Sequence, residues 1–313
     1  MTEHTEAPRL FEKAVILNIS YGLPGVTKKV RKNQIEQSSD LDPIGPTGQA
    51  PVTVKADKEL VRVSKQILDC PELRAINKKY AEIKAYVDTR ALPSYFRAGL
   101  HWWPLELIEE GEARFNQFDE DLKPLIGDFI AAYPDNKAQA LSRLDTLADP
   151  SDYPTAEEMR EKFYVNRQYI SFQAPDNLPE QIRQQEAVKM EEYMRTATEE
   201  ITAALRESMA GLVNHLLEKL TDNTNGSPKK RFYDSSYDKV IDFLDTFKAR
   251  NLTDDTELEA LVDKAKAVVS GTTVDQLKNS DTIKAEIKAG FEEIQANLDP
   301  LMSDRTRKIV LED

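Results

Sequence analysis

The sequence predicts an α+β protein that is predominantly helical, with long antiparallel, coiled-coil-like helices and a small three-stranded sheet. Three observations carry this. The run 178–221 has no proline after Pro179 and no glycine until Gly211, and Ile182, Met190, Met194, Ala197, Ile201, Leu205, Met209, Leu212, Leu216 and Leu220 recur along one helical face. Such a helix spans ~60 Å at 1.5 Å per residue, so it needs antiparallel neighbours or a partner chain along its stripe. Segments near 13–21, 95–103 and 163–173 are rich in β-branched and aromatic residues and bounded by Gly or Pro, which predicts strands. Too apolar to stand alone, they are expected to share one sheet. Charged residues make up 31% beside 40% hydrophobic residues, a balance that suits long solvated helices over a compact sphere.

Along the chain, residues 1–10 read as a polar tail. Ala14–Tyr21 reads as a strand, Lys28–Arg31 as an edge strand or turn, and 38–51, with Pro43, Gly45, Pro46, Gly48 and Pro51, as a loop. Leu60, Val63 and Ile67 at spacings of three and four predict a helix. Asp69-Cys70-Pro71-Glu72 restarts one, because Asp caps, Pro wastes no N–H in a first turn and Glu favours the positive helix end. Leu73, Ile76, Tyr80, Ile83 and Val87 form its stripe until Leu92-Pro93. A further helix is expected over 104–133, interrupted at Gly111 and Pro124, then a short one over 136–147. Thr155 and Glu158 have capping-box spacing. After the polar loop 222–228 come helices around Tyr237–Phe247, Leu258–Val269 (ended by Gly271) and Ile283–Leu298 (capped by Asp281, stopped by Pro300). Ile309-Val310-Leu311 could dock or pair. Together these predict a mixed α/β head over 1–175 and a helical stalk or bundle over 176–313.

The charge balance restricts function. Forty-two Lys and Arg against 55 Asp and Glu leave a net charge of −13. Such a chain repels nucleic-acid phosphates and anionic membranes unless its basic residues cluster, so nucleic-acid binding is disfavoured and a basic protein partner is suited. With Cys70 alone, neither an internal disulfide nor a cysteine zinc site can form. The first residues lack a basic stretch followed by an apolar one, and no run approaches the ~18 apolar residues of a membrane span. A cytoplasmic location is therefore the expectation.

Catalytic signatures are missing. There is no phosphate loop, no dinucleotide-binding glycine pattern and no Gly-x-Ser-x-Gly elbow, and His4, His101 and His215 lie far apart. No cofactor, metal or catalytic residue is assigned. The most informative patch runs from Arg90 to Pro104. Arg90, Tyr95, Phe96, Arg97, Trp102 and Trp103 have the composition of an interface hot spot. The competing reading, favoured by the alternating apolar pattern, is a core junction between sheet and helices. Lys229-Lys230-Arg231 beside Phe232 and Tyr233 is a weak candidate for phosphate contact, and Met190, Met194 and Met209 for an adaptable groove.

Several blocks resemble a family of bacterial and phage proteins of unknown function: Leu10-Phe11-Glu12-Lys13-Ala14-Val15-Ile16-Leu17-Asn18-Ile19-Ser20, Arg90-Ala91-Leu92-Pro93-Ser94-Tyr95-Phe96-Arg97 with Pro104-Leu105, the Phe163–Phe172 segment and the helical last third. Members of that family look like genomic neighbours of MoxR-type AAA+ ATPases and of proteins with a von Willebrand factor A domain. The resemblance implies an accessory role in an ATPase-driven remodelling system and carries over no active-site residue. The expected function is a non-enzymatic adaptor or scaffold with protein partners. The alternatives are a self-assembling phage structural or assembly protein, hence a homo-oligomer, and an enzyme with an unfamiliar site near His101 and Arg97.

Overall fold

The computed structural model describes residues 10–30, 63–94, 97, 99–171, 177–221 and 234–303. The expected tail, the 38–51 loop, the 222–228 loop with Lys229–Arg231, and the 309–311 segment lie outside the described residues. The chain forms two compact units, each discontinuous in sequence. One comprises Met1–Ile19, Ala85–Gly111 and Arg167–Asp313, the other Ser20–Lys84 and Glu112–Asn166. The expected single cut near 175 runs along the chain, whereas these units interleave along it.

In the first unit a one-turn helix α1 (Leu10–Lys13) leads into strand β1 (Ala14–Gly22). The four-stranded sheet has the order β4-β5-β1-β6, with β4 (Leu92–Pro93), β5 (Leu100–Pro104) and β6 (Tyr164–Ile170). All three expected strands are thus in one sheet, and the two-residue edge strand β4 is added to them. β1 runs antiparallel to β5, with Val15 opposite Trp103, Ile16 opposite Trp102 and Leu17 opposite His101. Successive strand residues point to opposite faces. Ile16 and Leu17 are both 0% exposed, so both faces of this central strand are covered. One face shows Ala14, Ile16, Leu92 and Trp102, which share a core with the C-terminal helices. The other carries Trp103, beside Tyr86 (ring centroids 6.3 Å apart) and against Gly111. The expected strand over 95–103 starts late, at Leu100, because Gly99 sits at φ +87° in a turn, a conformation open chiefly to glycine. Tyr95, Phe96 and Ala98 lie outside the described residues.

The C-terminal helices pack antiparallel, as expected. Helix α5 (Glu180–Leu220) has 41 residues. It meets α9 (Asp281–Ser303) where Gln295 bonds Asn214 and Arg206 bonds the Leu301 carbonyl, so numbering rises on one helix as it falls on the other. The same opposed running relates α5 to α6 (Asp234–Arg250) and its following turn, through His215–Ser236 and Thr202–Thr253. It also relates α7 (Thr256–Val269) to α9, through Lys264–Glu293 and Val268 against Gly290. Between α7 and α9 lies a six-residue helix α8 (Val274–Asn279), opened by a Thr273–Gln276 capping box that the sequence reading missed. Two terminal assignments need correction. Ser280, rather than Asp281, accepts from the Ile283 N–H, and α9 runs through Pro300, which the buried Leu298 before it overrides.

Helices α2 (Pro71–Arg90) and α3 (Ile108–Leu144) each have their last or first turns, within Ala85–Gly111, in the first unit; in the second unit their remaining parts lie antiparallel, tied by Lys79–Asp121 and Asn136–Glu72. Two expectations fail here. The interruptions at Gly111 and Pro124 and the separate helix at 136–147 are replaced by one 37-residue helix that keeps both Pro124 and Pro134. A helical proline costs about 3 kcal/mol, but Phe115, Phe118, Leu122, Phe129 and Tyr133 bury one continuous stripe across Pro124, which outweighs it there. Of the helix expected at Leu60–Ile67, residues 60–62 lie outside the described residues, and the rest contains β3 (Ser64–Gln66), paired antiparallel with β2 (Thr27–Lys29). Two or three apolar residues cannot fix a period, and the buried Lys65, bound to Asp152 at 2.8 Å, holds the segment extended. Thr155 and Glu158 form the expected capping box of α4 (Ala156–Glu161).

Candidate functional site

The aromatic and arginine residues singled out above fall in different surroundings. Trp102 and Trp103 are 1% and 0% exposed and pack within the chain, as a core junction requires. Arg97 is exposed on a bend, and Tyr95 and Phe96 lie outside the described residues. His101 is half-buried opposite Leu17 and Pro93. Burial holds its imidazole below the usual range against a smaller upward pull from Asp88, so it is neutral at pH 7.

Arg90, at the end of α2, leads to the most distinctive surface of the first unit. Its side chain is 14% exposed, stands over the Tyr86 ring at 5.2 Å and binds Asp242 of α6 (Nη1–Oδ2 2.7 Å), with Glu110 3.6 Å from Nε. Burial works against its charge, yet Asp242 and Glu110 outweigh burial and keep the guanidinium firmly protonated. Asp242 does not stand alone on its helix. Spacings of four and three put Asp238, Asp242 and Asp245 on one face of α6, around Ile241.

That face forms one wall of an open groove of about 470 Å³, whose other wall is Thr272, Thr273 and Val274. Local chemistry builds the second wall. Gly271 at φ +73° turns the chain out of α7, and the Tyr237 hydroxyl donates to the Thr272 carbonyl at 3.1 Å. Burial pushes the Tyr237 phenol up, so it remains a donor. Among the described residues Asp238 and Asp245 form no ion pair, so the groove offers uncompensated negative charge around an apolar floor. It suits a lysine or arginine side chain with its aliphatic stem.

Arg250, at the C-terminal end of α6, is only 6% exposed. Its Nε has no hydrogen-bond partner, no carboxylate among the described residues pairs with it, and its guanidinium stands 5.4 Å from the Phe243 ring centroid. Burial first, and then the Arg90 charge, push its pKa down to about 10, with Asp242 partly offsetting them. Asp242 is therefore the carboxylate that both guanidiniums draw on.

The sequence reading found Arg90 but missed Asp238, Asp242, Asp245, Glu110 and Arg250. The three aspartates were legible as a helical spacing. The approach within the first unit of the last turn of α2 to α6, which joins Arg90 to Asp242, is a tertiary fact without a local signal. Neither His101 nor Arg97 lines this groove, the cavity at Tyr153 or the shallow concavity at Glu12 and Lys248. Among the described residues no cluster of three or more His, Cys, Asp or Glu could hold a metal ion, and no helix is long and apolar enough to cross a membrane. Comparison with protein-family models, with curated proteins and with solved structures finds no match.

Proposed function

We propose that this protein is a non-enzymatic adaptor or scaffold that works beside an AAA+ ATPase of the MoxR type, with a von Willebrand factor A-domain protein as a further partner, in a bacterial or phage remodelling system. The acidic groove on α6 carries the reading. Three aspartates on one helical face, two of them without ion pairs among the described residues, favour a basic protein segment and repel phosphate, so nucleic acid is a poor partner for this face. The identity of the ATPase rests on the family resemblance of the sequence blocks. A cytoplasmic setting follows from the same reading. The experiment is co-purification of the intact chain from its host with mass spectrometry, beside Asp238→Lys and Asp245→Lys. The expected result is stoichiometric recovery of an AAA+ ATPase by the intact chain and its loss with the charge reversals. Recovery of no ATPase and no other stoichiometric protein overturns the proposal.

A second reading is self-assembly. The first turns of α5 carry exposed Ile182, Val188 and Tyr193, with Val188 at 65%, which suits a second copy laid along the helix. A strictly monomeric mass by size-exclusion chromatography with light scattering excludes it.

A further inference from the structure

The second unit contains a partly enclosed cavity of about 110 Å³ between the paired strands β2 and β3, Tyr133 of α3, and α4 with the residues flanking it. Its body is apolar: Val26, Ile67, Leu68 and Met159 line it, the last three almost fully buried. Two features set it apart from a packing defect. Tyr153, also in the lining, is 6% exposed, and its buried hydroxyl has no hydrogen-bond partner among the described residues. A buried hydroxyl without a partner costs free energy and is rare unless something else satisfies it.

The second feature is positive charge in an acidic chain. Lys28 and Lys162 line the cavity, and neither forms an ion pair among the described residues. Lys28 stands directly opposite Lys65 across the β2–β3 pair, so both point to the same face. Lys65 is neutralised by Asp152 at 2.8 Å and also donates to the Leu147 carbonyl. Asp152 is itself a lining residue, but its carboxylate is thus engaged; Lys28 and Lys162 form no ion pair among the described residues, although Lys162 lies near enough to Glu158 to help hold that carboxyl down.

Size selects the ligand class. The space is smaller than the roughly 150 Å³ that admits benzene, and far below the several hundred Å³ of a cofactor pocket. It fits about four aliphatic carbons. We propose that this cavity binds a short branched aliphatic carboxylate, its hydrocarbon body among Ile67, Leu68 and Met159, its carboxylate held by Lys28, Lys162 and the Tyr153 hydroxyl. A free short-chain acid and the C-terminal residue of a peptide share this chemistry. The site is independent of the groove on α6 and of the adaptor reading.

The test is titration of the full chain with isovalerate, N-acetyl-leucine and the neutral isoamyl alcohol, followed by calorimetry and ligand-observed NMR. Saturable binding of at least one acid, with the alcohol much weaker, is expected. Tighter N-acetyl-leucine identifies a peptide terminus as the natural source, and tighter isovalerate a free acid. Lys28→Gln and Lys162→Gln should each weaken binding about threefold and flatten its salt dependence. Tyr153→Phe should weaken it about fivefold. The two lysine variants change exposed residues and serve if Tyr153→Phe lowers the melting temperature. Failure of both acids to saturate, equal binding of the alcohol, or affinity unchanged in both lysine variants overturns the proposal.

Discussion

A Cβ built on Gly111 would stand 2.6 Å from Cζ2 of Trp103, closer than carbon atoms approach, so the helix can lie against the indole only because this residue has no side chain. Gly111→Ala should therefore destabilise by about 1–3 kcal/mol through overpacking. Gly127 and Gly211 are the controls. Both are helical, and an added Cβ meets nothing within 4 Å at either. Alanine there should stabilise by about 0.5–1 kcal/mol by raising helix propensity and restricting the unfolded chain. Urea midpoints of the three variants check this, and a common sign for all three would refute the packing argument. Arg250 presents the opposite kind of constraint. Its pKa is depressed to about 10, so its burial opposes folding fully below that value, and the cost fades only as pH rises from there toward the unfolded value. Lysines and tyrosines titrate over the same alkaline range, so substitution replaces titration as the test. Arg250→Met removes a buried cation while keeping an apolar stem over Phe243. It should leave stability unchanged or raise it by about 1–3 kcal/mol. Asp242→Asn, which strips the carboxylate both arginines draw on, should cost about 2 kcal/mol. A fall in midpoint for Arg250→Met as large as that for Asp242→Asn would mean that the guanidinium is better satisfied than the geometry indicates.

Between elements, the strongest polar tie of the first unit is centred on Asp255. Its carboxylate caps α7 by accepting from the Leu258 N–H and takes Arg206 of α5 in a two-pronged bond (Nε–Oδ2 2.7 Å, Nη2–Oδ1 3.0 Å). The same Arg206 donates to the Leu301 carbonyl of α9 at 3.1 Å, so one pair of side chains fastens three helices. Burial alone would raise the Asp255 carboxyl, but Arg206 and the backbone N–H donors outweigh burial and hold it below the usual carboxylate range. The folded-state value thus lies under the unfolded one. Its contribution is fully present above the unfolded value of about 3.9 and fades as pH falls through the folded value. Asp255→Asn keeps a capping oxygen and loses the ion pair, so it should cost about 2–4 kcal/mol at pH 7 and much less at pH 2. Denaturation midpoints of both proteins from pH 7 to pH 2 should converge on the acid side, and parallel curves would show that the pair does not report on folding. None of this tie was legible beforehand. Asp254-Asp255 reads as one acidic pair among many, and α5 and α7 are brought together only by the burial of their stripes.

For the molecule as a whole, periodicity revealed what local chemistry decides: the long helices, the three main strands and the Thr155 cap. It misjudged places where tertiary burial overrode local preference, as at Pro124, Pro134 and Pro300, and where an element was too short to show a period, as at Ser64–Gln66. The candidate site was legible only in part, because Arg90 stands out by composition whereas Asp242 becomes its partner through the fold. Least legible was which segments share a core. A reading along the chain makes 176–313 a helical domain, yet Ala14, Ile16, Leu92 and Trp102 belong to the same buried cluster as Ile201, Leu205, Phe247 and Phe291. The sheet's inner face is therefore part of the wall that closes the helical core. A fragment spanning 176–313 would keep the helices and expose the surface that those residues cover. At about 25 cal/mol per Å² of apolar area, the loss of even a few such side chains removes several kcal/mol, a large share of the net stability of a domain this size. The fragment should retain helical far-UV circular dichroism, bind a hydrophobic dye and melt at lower temperature and less cooperatively than the full chain. A sharp transition at the full chain's temperature, with no dye bound, would show the helices to be self-sufficient and the strands to be a mere attachment.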